Sequence, residues 1–453
     1  MASKQYLTAP VASAKMPAGI PYILVNEAAE RFSFYGSRCI LVVFMTHYLL
    51  GAGGKLAPMS PEQAKTWFHL FVSAVYLTPL IGALLSDIWL GKYRTILYFS
   101  ILYCFGFFAL VFNQTRLGLA AGLILIAIGS GIVKPCVSAN VGDQFGRSNK
   151  HLINRIFNWF YFAINFGAAI ANGLVPELLD RYGPTVAFGL PCGLMVLAVI
   201  AFWLGQWKYV HIPRAGSGFV KECLSGEGLR AIGKLAIIYA FVAPFWSLFD
   251  QMDSAWVLQA EKLNRQFLWH NWKASQVVVA NPLLILVLIP VFSYIIYPTI
   301  NKFFKLTPLR KIGIGLFVMA VPYIITAMIE NSLAAGSKPS VGWLFFAYIF
   351  LTSAEVMVSI TCLEFSYTQA PKKMKSFIMA VFFLSITLGN AFTAVVNIFI
   401  RNPDGTSKLA GPSYFWFFTA VMVVTAILFI PVAARYKVKE YIQDEAPANE
   451  SQS

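Results

Sequence analysis

The stretch NEAAERFSFYG, residues 26–36, places two glutamates and an arginine inside one of the most apolar regions of the chain. Glu27, Glu30 and Arg31 lie near the start of a largely apolar run over residues 22–50. A charge at the centre of a bilayer costs about 2.5–3.5 kcal/mol on insertion scales, so charged residues there need a partner or a task. The stretch therefore predicts a membrane helix whose charged residues are paired or have a function.

Composition indicates a membrane protein along the whole chain. Of its 453 residues, 58% are hydrophobic and only 12% are charged, and the mean hydropathy is +0.66. A soluble globular protein of this size needs more polar surface. Crossing the bilayer takes about 20 apolar residues. We predict an all-α polytopic membrane protein with twelve spans: 22–50, 62–89, 94–113, 117–141, 152–178, 184–206, 231–258, 276–298, 311–330, 342–369, 375–400 and 411–434.

Basic residues in the connections predict the orientation. The two termini and every second loop carry 22 of the 35 lysines and arginines, which predicts that both termini are cytoplasmic. The net charge of +15 comes mostly from these basic termini and loops. It is therefore explained without binding to nucleic acid. The predicted organisation is a cytoplasmic N-terminal tail (1–20), a six-helix bundle (21–206), a cytoplasmic linker (207–230), a second six-helix bundle (231–434) and a cytoplasmic tail (435–453).

Several function classes lack support in the sequence. The six cysteines and five histidines show no disulfide or metal-type spacing. No phosphate-binding loop is present, which argues against ATP as the energy source. No nucleophile, zinc or cofactor motif supports a membrane-embedded enzyme, and the charges form no repeated ring typical of a channel. We therefore expect neither an enzyme nor a cofactor.

The charges of the first span form a polar stripe. At about 100° per residue, Glu27, Arg31 and Arg38 fall within about 40° of one another, with Glu30 and Tyr35 on the flanks. One hypothesis is a salt-bridge clasp between helices. The other is that the carboxylates bind and release a proton, because their proton affinity depends on which charges and how much water surround them. We favour the second.

Other buried polar residues extend this pattern. Lys134 lies deep in span four, where it either neutralises a glutamate of span one or binds a ligand. Asn165 in span five either forms hydrogen bonds that hold two helices together or belongs to a binding site. His69 in span two is either a satisfied core histidine or a proton carrier, since an unperturbed imidazole titrates near neutral pH.

The second half contributes mainly acidic and amide groups, Asp250, Asp253, Asn281 and Glu355. A cavity between the halves would then have one positive and one negative wall. Such a cavity complements a zwitterion, such as an amino acid or a short peptide. Tyr35, Tyr76 and Tyr161 are candidates to line it.

Taken together, these motifs resemble the proton-coupled oligopeptide transporters of the major facilitator superfamily. EAAERFSFYG resembles the family signature E-x-x-E-R-F-x-Y-Y-G on the first helix, and FYFAINFGA resembles F-Y-x-x-I-N-x-G on the fifth. GALLSDIWLGKYRTI looks like the loop motif of the superfamily. The resemblance covers about residues 20–435 and implies the major facilitator fold, with twelve transmembrane helices in two six-helix halves.

The resemblance implies proton-coupled symport of di- and tripeptides by alternating access, by a functional monomer in the cell inner (plasma) membrane. It assigns proton coupling to one set of residues: Glu27, Glu30, Arg31, His69 and Asp250. It assigns binding of the peptide carboxylate to Arg38 and Lys134. Binding of the peptide amino end is assigned to Glu355, Asn165 and Asn281. A porter of another small solute, such as an amino acid, nitrate or a drug, is the alternative on the same fold.

The chain departs from the family pattern at several positions. Phe34 replaces the first tyrosine of the signature, and Phe382 stands where tryptophan is frequent. Asp253 replaces a usual glycine, and Ala255 stands where animal members have an arginine. These departures bear on side-chain selectivity and on the outer gate.

Overall fold

In a computed structural model of the protein, most of the described chain is helical. The described residues are 6–11, 13–212, 225–369, 375–402 and 406–436. The predicted linker therefore lies partly outside the described residues. The first five residues and the chain after residue 436 lie wholly outside them.

The first half contains α1 to α6. Their bounds are α1 Ile20–Val43, α2 Pro61–Leu84, α3 Lys92–Phe112, α4 Arg116–Asp143, α5 Ile153–Tyr182 and α6 Pro184–Leu204. Wide π-turns extend two of these helices, α1 through Phe44–Tyr48 and α2 through Leu85–Leu90. A short 3₁₀ segment, Arg147–Leu152, precedes α5.

The second half is built from shorter pieces. Its helices are α7 Gly226–Phe249, α8 Ala255–Lys262, α9 Ala280–Val291, α10 Tyr297–Phe303, α11 Pro308–Ala334, α12 Gly342–Glu355, α13 Thr361–Gln369, α14 Lys375–Ile400 and α15 Pro412–Arg435. The 3₁₀ turns Asp250–Asp253 and Ala274–Val279 and the π-turns Phe292–Ile296 and Val356–Ile360 link neighbouring helices. A two-stranded hairpin, β1 Gln266–Phe267 and β2 His270–Asn271, connects α8 to the next membrane segment.

Local sequence explains where many helices begin. Ser60 forms a capping box with Gln63 at the start of α2, and Thr115 and Thr307 accept N-terminal N–H groups of α4 and α11. Proline at the first helical position opens α2, α6, α11 and α15, where its missing N–H costs nothing. Gly183, with φ of 77°, makes the tight turn between α5 and α6.

The helix lengths agree with the predicted spans. Within the described residues, 11 helical segments are long and apolar enough to cross a membrane. The segment that begins with α1 is as long, but its four charged residues, at positions 27, 30, 31 and 38, make it less apolar. With this segment, the described structure has twelve helical segments that are long enough to cross a membrane.

The predicted span over 231–258 lies within one membrane-spanning segment, Gly228–Lys262, and the helix in it breaks at Asp250–Ser254. Ser254 leaves helical geometry, with φ of −130° and ψ of −85°. Side chains three residues apart eclipse one another in a 3₁₀ turn. The break therefore brings the carboxylates of Asp250 and Asp253 to the same side.

Helices of the two halves pack against one another in pairs. The contacts between the halves close the space between them at one end of the molecule only. α2 packs against α14, and α5 packs against the turn Ala274–Val279. We call the end that carries Lys92 the basic end and the other end the opposite end. At the opposite end, Lys273 lies 2.5 Å from Asp180 across the halves, and the ammonium of Lys65 lies 3.9 Å from the ring centre of Tyr414. The halves are tied together there, while the space between them opens at the basic end.

Candidate functional site

A cavity of about 570 Å³ lies between the two halves and reaches the basic end. The first half supplies its polar lining, including Glu27, Arg31, Tyr76 and Lys134. The second half supplies apolar residues, among them Leu363, Met379, Ala380 and Phe383. Asp87 and Lys92 of the predicted loop motif line its mouth.

Arg31 forms a compact ion cluster with both glutamates of the opening stretch. Its Nε lies 3.0 Å from Glu27 Oε1 and 2.5 Å from Glu30 Oε2, and all three side chains are buried. Both contacts are ion pairs. Ser130 of α4 donates to Glu30 Oε1 over 3.2 Å. The i, i+4 spacing of Glu27 and Arg31 makes their pairing possible within one helix.

Lys134 stands apart from this cluster because its ammonium has no hydrogen-bond partner among the described residues. Its Nζ lies 3.9 Å from the ring centre of Phe34 and 4.5 Å from that of Tyr76. Aromatic faces attract a cation, yet they satisfy none of its three N–H donors. Lys134 is thus a buried cation beside the cavity with open donors.

Glu355 of α12 is held on the other half. Asn281 of α9 donates from Nδ2 to Glu355 Oε2 over 2.7 Å and to Thr352 Oγ1 over 3.2 Å. Tyr35 of α1 lies close enough to Arg31, Arg38 and Glu355 to interact electrostatically with all three. Tyr35 is therefore within electrostatic range of the arginines of α1 and of an acidic group on the second half.

Arg38, two helical turns after Arg31, belongs to a different cluster. Its Nη2 lies 2.5 Å from Asp250 Oδ1 and 2.9 Å from Asp253 Oδ2. These bonds join α1 of the first half to the broken helix of the second. In this state both carboxylates contact Arg38 Nη2, while its Nε has no hydrogen-bond partner among the described residues.

A chain of hydrogen bonds continues from Asp250 to His69. Asn390 of α14 donates from Nδ2 to Asp250 Oδ2 over 2.6 Å, so its Oδ1, 2.7 Å from His69 Nδ1, accepts from that nitrogen. His69 is then the Nδ1–H tautomer, and its Nε2 accepts from Ser254 Oγ at 3.0 Å. We call the chain from Arg38 through Asp250, Asn390 and His69 to Ser254 the interdomain relay.

The structure brings together some predicted residues and separates others. Glu27, Glu30 and Arg31 meet, as do Asn281 and Glu355, whereas His69 joins Asp250 through Asn390 and does not contact the glutamates of α1. Asn165 donates to the backbone oxygen of Tyr161 in its own helix. The roles assigned to these residues remain predictions.

Sequence reasoning missed two members of these clusters. Asp253 was named among the acidic groups of the second half, but Asn390 and Ser254 were not singled out. For Asn390 a signal existed, since an asparagine within the apolar run of α14 has a cost that a partner must offset. For Ser254 no signal existed, because its position depends on the break in the helix.

Comparison with known proteins places the chain among transporters. A sequence model described as the POT family matches residues 93–225 and 223–417. The chain is 35% identical to "Peptide transporter family 1" of Drosophila melanogaster, over 70% of this chain and 48% of that protein. It is 30% identical to "Solute carrier family 15 member 2" of Homo sapiens, over 77% of this chain and 54% of that protein. The chain thus spans about half the length of the curated relatives it matches.

Solved structures match over nearly the whole chain. An auto-inhibited POT family peptide transporter superposes with a TM-score of 0.84 and 33% identity, over 95% of this chain and 99% of that chain. A proton dependent oligopeptide (POT) family transporter superposes with a TM-score of 0.77 and 35% identity, over 90% of this chain and 100% of that chain. The predicted major facilitator fold is therefore confirmed, and with the family match over most of its length the chain belongs to the POT family.

Proposed function

We propose that the chain is a proton-coupled symporter that carries di- and tripeptides by alternating access. The observation that carries the proposal is Lys134, a buried ammonium beside the cavity with no hydrogen-bond acceptor among the described residues. An unsatisfied buried charge is costly, so the site favours an anionic ligand group. The carboxylate of a peptide supplies that group.

Glu355 provides the complementary wall. Its carboxylate is fixed by Asn281 and can accept the ammonium of a peptide amino terminus. A ligand with both charges interacts with both halves at once, which favours closure of the halves around it. Tyr35, Tyr76 and Tyr161 are proposed to contact the peptide between its ends.

The proton is proposed to act on two sets of groups. Protonation of Glu27 or Glu30 would weaken the Arg31 cluster and leave more positive charge for a peptide carboxylate at Lys134. Protonation within the interdomain relay, at His69 or Asp250, would weaken the contacts that hold the opposite end closed. Arg38 would then become available to the peptide carboxylate in the state that is open at the opposite end.

The charge pattern and the family support a proposal for the setting. We propose that the protein lies in the cell inner (plasma) membrane as a monomer, with both termini and the basic end in the cytoplasm. The described conformation is then open to the cytoplasm. The driving force would be the proton gradient without a cofactor, and the membrane potential adds about 2.3 kcal/mol per charge per 100 mV.

Uptake into sealed proteoliposomes tests the proposal. With an acidic exterior and a negative interior, labelled dialanine should accumulate above its external concentration, and a protonophore should abolish the accumulation. Accumulation that ignores the protonophore would contradict proton coupling. If alanine, nitrate or a drug is concentrated and dialanine is not, the chain is a porter of another solute.

A further inference from the structure

A second pocket, of about 420 Å³, lies at the basic end of the first half and is distinct from the cavity between the halves. It is formed by the start of α3, the end of α4 and the chain that follows α6. Tyr6 of the N-terminal segment closes one side, and its ring centre lies 4.2 Å from that of His211. No step of the proposed transport cycle uses this pocket.

The N-terminus of α3 faces this pocket without a cap. Gly91 precedes the helix, and no side chain among the described residues caps the start of α3. The first turn contains no acidic residue and instead carries Lys92 and Arg94. The helix dipole disfavours cations at this position, and a bound anion reverses that effect.

A buried amide gives independent evidence for a ligand. Asn140 is 2% exposed and lines the pocket, and its Nδ2 has no hydrogen-bond partner among the described residues. Its orientation is fixed, because Gln144 Nε2 donates to Asn140 Oδ1 while the N–H of Val210 donates to Gln144 Oε1. Asn140 Nδ2 is therefore an open donor, and the hydroxyl of Tyr93 in the same pocket is another.

The charge balance of the pocket is positive. Lys92 is neutralised by Asp143 at 2.6 Å, whereas Arg94 is exposed and has no ion-pair partner within the described part of the chain. Burial lowers the pKa of His211, which disfavours the charged form of this ring, and its Nε2 donates to the backbone oxygen of Gln206. Arg94 thus supplies the net charge.

The surface next to the pocket indicates where the anion comes from. Arg94 begins a stripe of exposed side chains along α3 that continues through Tyr98, Ile101, Phe105, Phe108 and Phe112. In a membrane this stripe faces acyl chains, and Arg94 lies one turn before it, at headgroup depth. A phosphate on a lipid can reach the pocket while its chains follow the stripe.

We propose that this pocket binds the phosphate group of an anionic phospholipid through Arg94, Asn140 Nδ2 and the first-turn N–H groups of α3. The residues that carry these three donor types line one pocket, and phosphate sites at helix N-termini combine backbone N–H groups with charged side chains. The site is independent of peptide transport and can be tested by binding alone.

The test is calorimetric titration of the purified full-length protein with dihexanoyl phosphatidylglycerol. Arg94→Gln removes the exposed charge, and Asn140→Asp keeps the acceptor for Gln144 while replacing the donor with a carboxylate. We expect each variant to raise the Kd about tenfold, as the loss of one charge-assisted contact does. The matched control is Arg116→Gln, because Arg116 is an exposed arginine at the start of α4, a helix that Thr115 caps. Its Kd should not change.

A parallel titration with inorganic phosphate distinguishes the two sources of the group. Tighter binding of the lipid, with the same dependence on Arg94 and Asn140, supports the proposal. Equal affinities for lipid and free phosphate would overturn the lipid assignment. An unchanged Kd in both variants, or an equal loss in the Arg116 control, would overturn the site.

Discussion

Replacing Asp253 with asparagine tests whether the Arg38 ion cluster holds the opposite end closed. Asp253 lies 2.9 Å from Arg38 Nη2, and the side chains of Asp253 and Arg38 are 4% and 3% exposed. The substitution keeps the shape of the side chain and removes one of the two carboxylates that contact the guanidinium. Asp250 remains, so Arg38 keeps one anionic partner.

The magnitude follows from this geometry. Two unit charges about 4 Å apart attract by about 4 kcal/mol at an effective dielectric constant of about 20. Removal of the Asp253 charge also relieves its repulsion with Asp250 and its own burial cost, so the net effect is smaller. A hydrogen bond to a charged group contributes about 1.5–3 kcal/mol. The closed form should therefore lose about tenfold to about a hundredfold in population relative to the form that is open at this end.

Spin labels across the opposite end measure this population. Tyr182 in the first half and Lys338 in the second are exposed there and can carry labels after replacement with cysteine. We expect Asp253→Asn to move pulsed dipolar distances toward longer values. Asp180→Asn is the matched control, because it breaks an ion pair between the halves whose aspartate is 53% exposed, and exposed pairs contribute about 0–1 kcal/mol. An unchanged distance distribution, or an equal shift in the control, would refute the reasoning.

Further predictions concern the cavity, coupling and packing. Lys134→Gln should weaken dialanine binding in a titration far more than binding of its C-terminal amide, because only the carboxylate needs the ammonium; equal losses would contradict this role. Glu30→Gln should abolish accumulation in proteoliposomes but preserve peptide exchange, and accumulation that persists would exclude Glu30 from coupling. Gly131→Ala should lower the free energy of unfolding by about 1–3 kcal/mol, measured as a lower melting temperature, since a Cβ there would overlap the hydroxyl of Thr78. Gly173→Ala, with open space around its Cβ position, is the control and should change stability much less.

Much of the fold could be predicted because lipid imposes a simple rule on sequence. Each crossing needs a run of about 20 apolar residues, and a run of this kind can be recognised without knowledge of its neighbours. Local spacing also predicted the pairing of Glu27 with Arg31, since both lie on one helix. Lys134 was recognised for the same reason, as a charge inside an apolar run.

Contacts between the halves could not be predicted in this way. Asp250 and Asp253 meet Arg38 only because the helix becomes a 3₁₀ turn at that point, and no proline or glycine in that stretch signals the break. The hairpin after α8 was also missed. Its two turn residues, Leu268 and Trp269, have φ of 49° and 62°, a geometry that usually selects asparagine and glycine.

The two ion clusters differ in what they connect, and this difference bears on how coupling could work. The Arg31 cluster joins α1 to α4 within the first half, so a proton there changes the field at Lys134 without breaking a contact between halves. The interdomain relay joins the first half to the second, so a proton there changes the stability of the closed end. Arg31 and Arg38 are seven residues apart on α1, about 10 Å along one rigid helix. We infer that α1 transmits binding at the cavity to closure at the opposite end, since it carries Glu27, Glu30 and Arg31 of the first cluster and Arg38 of the interdomain relay.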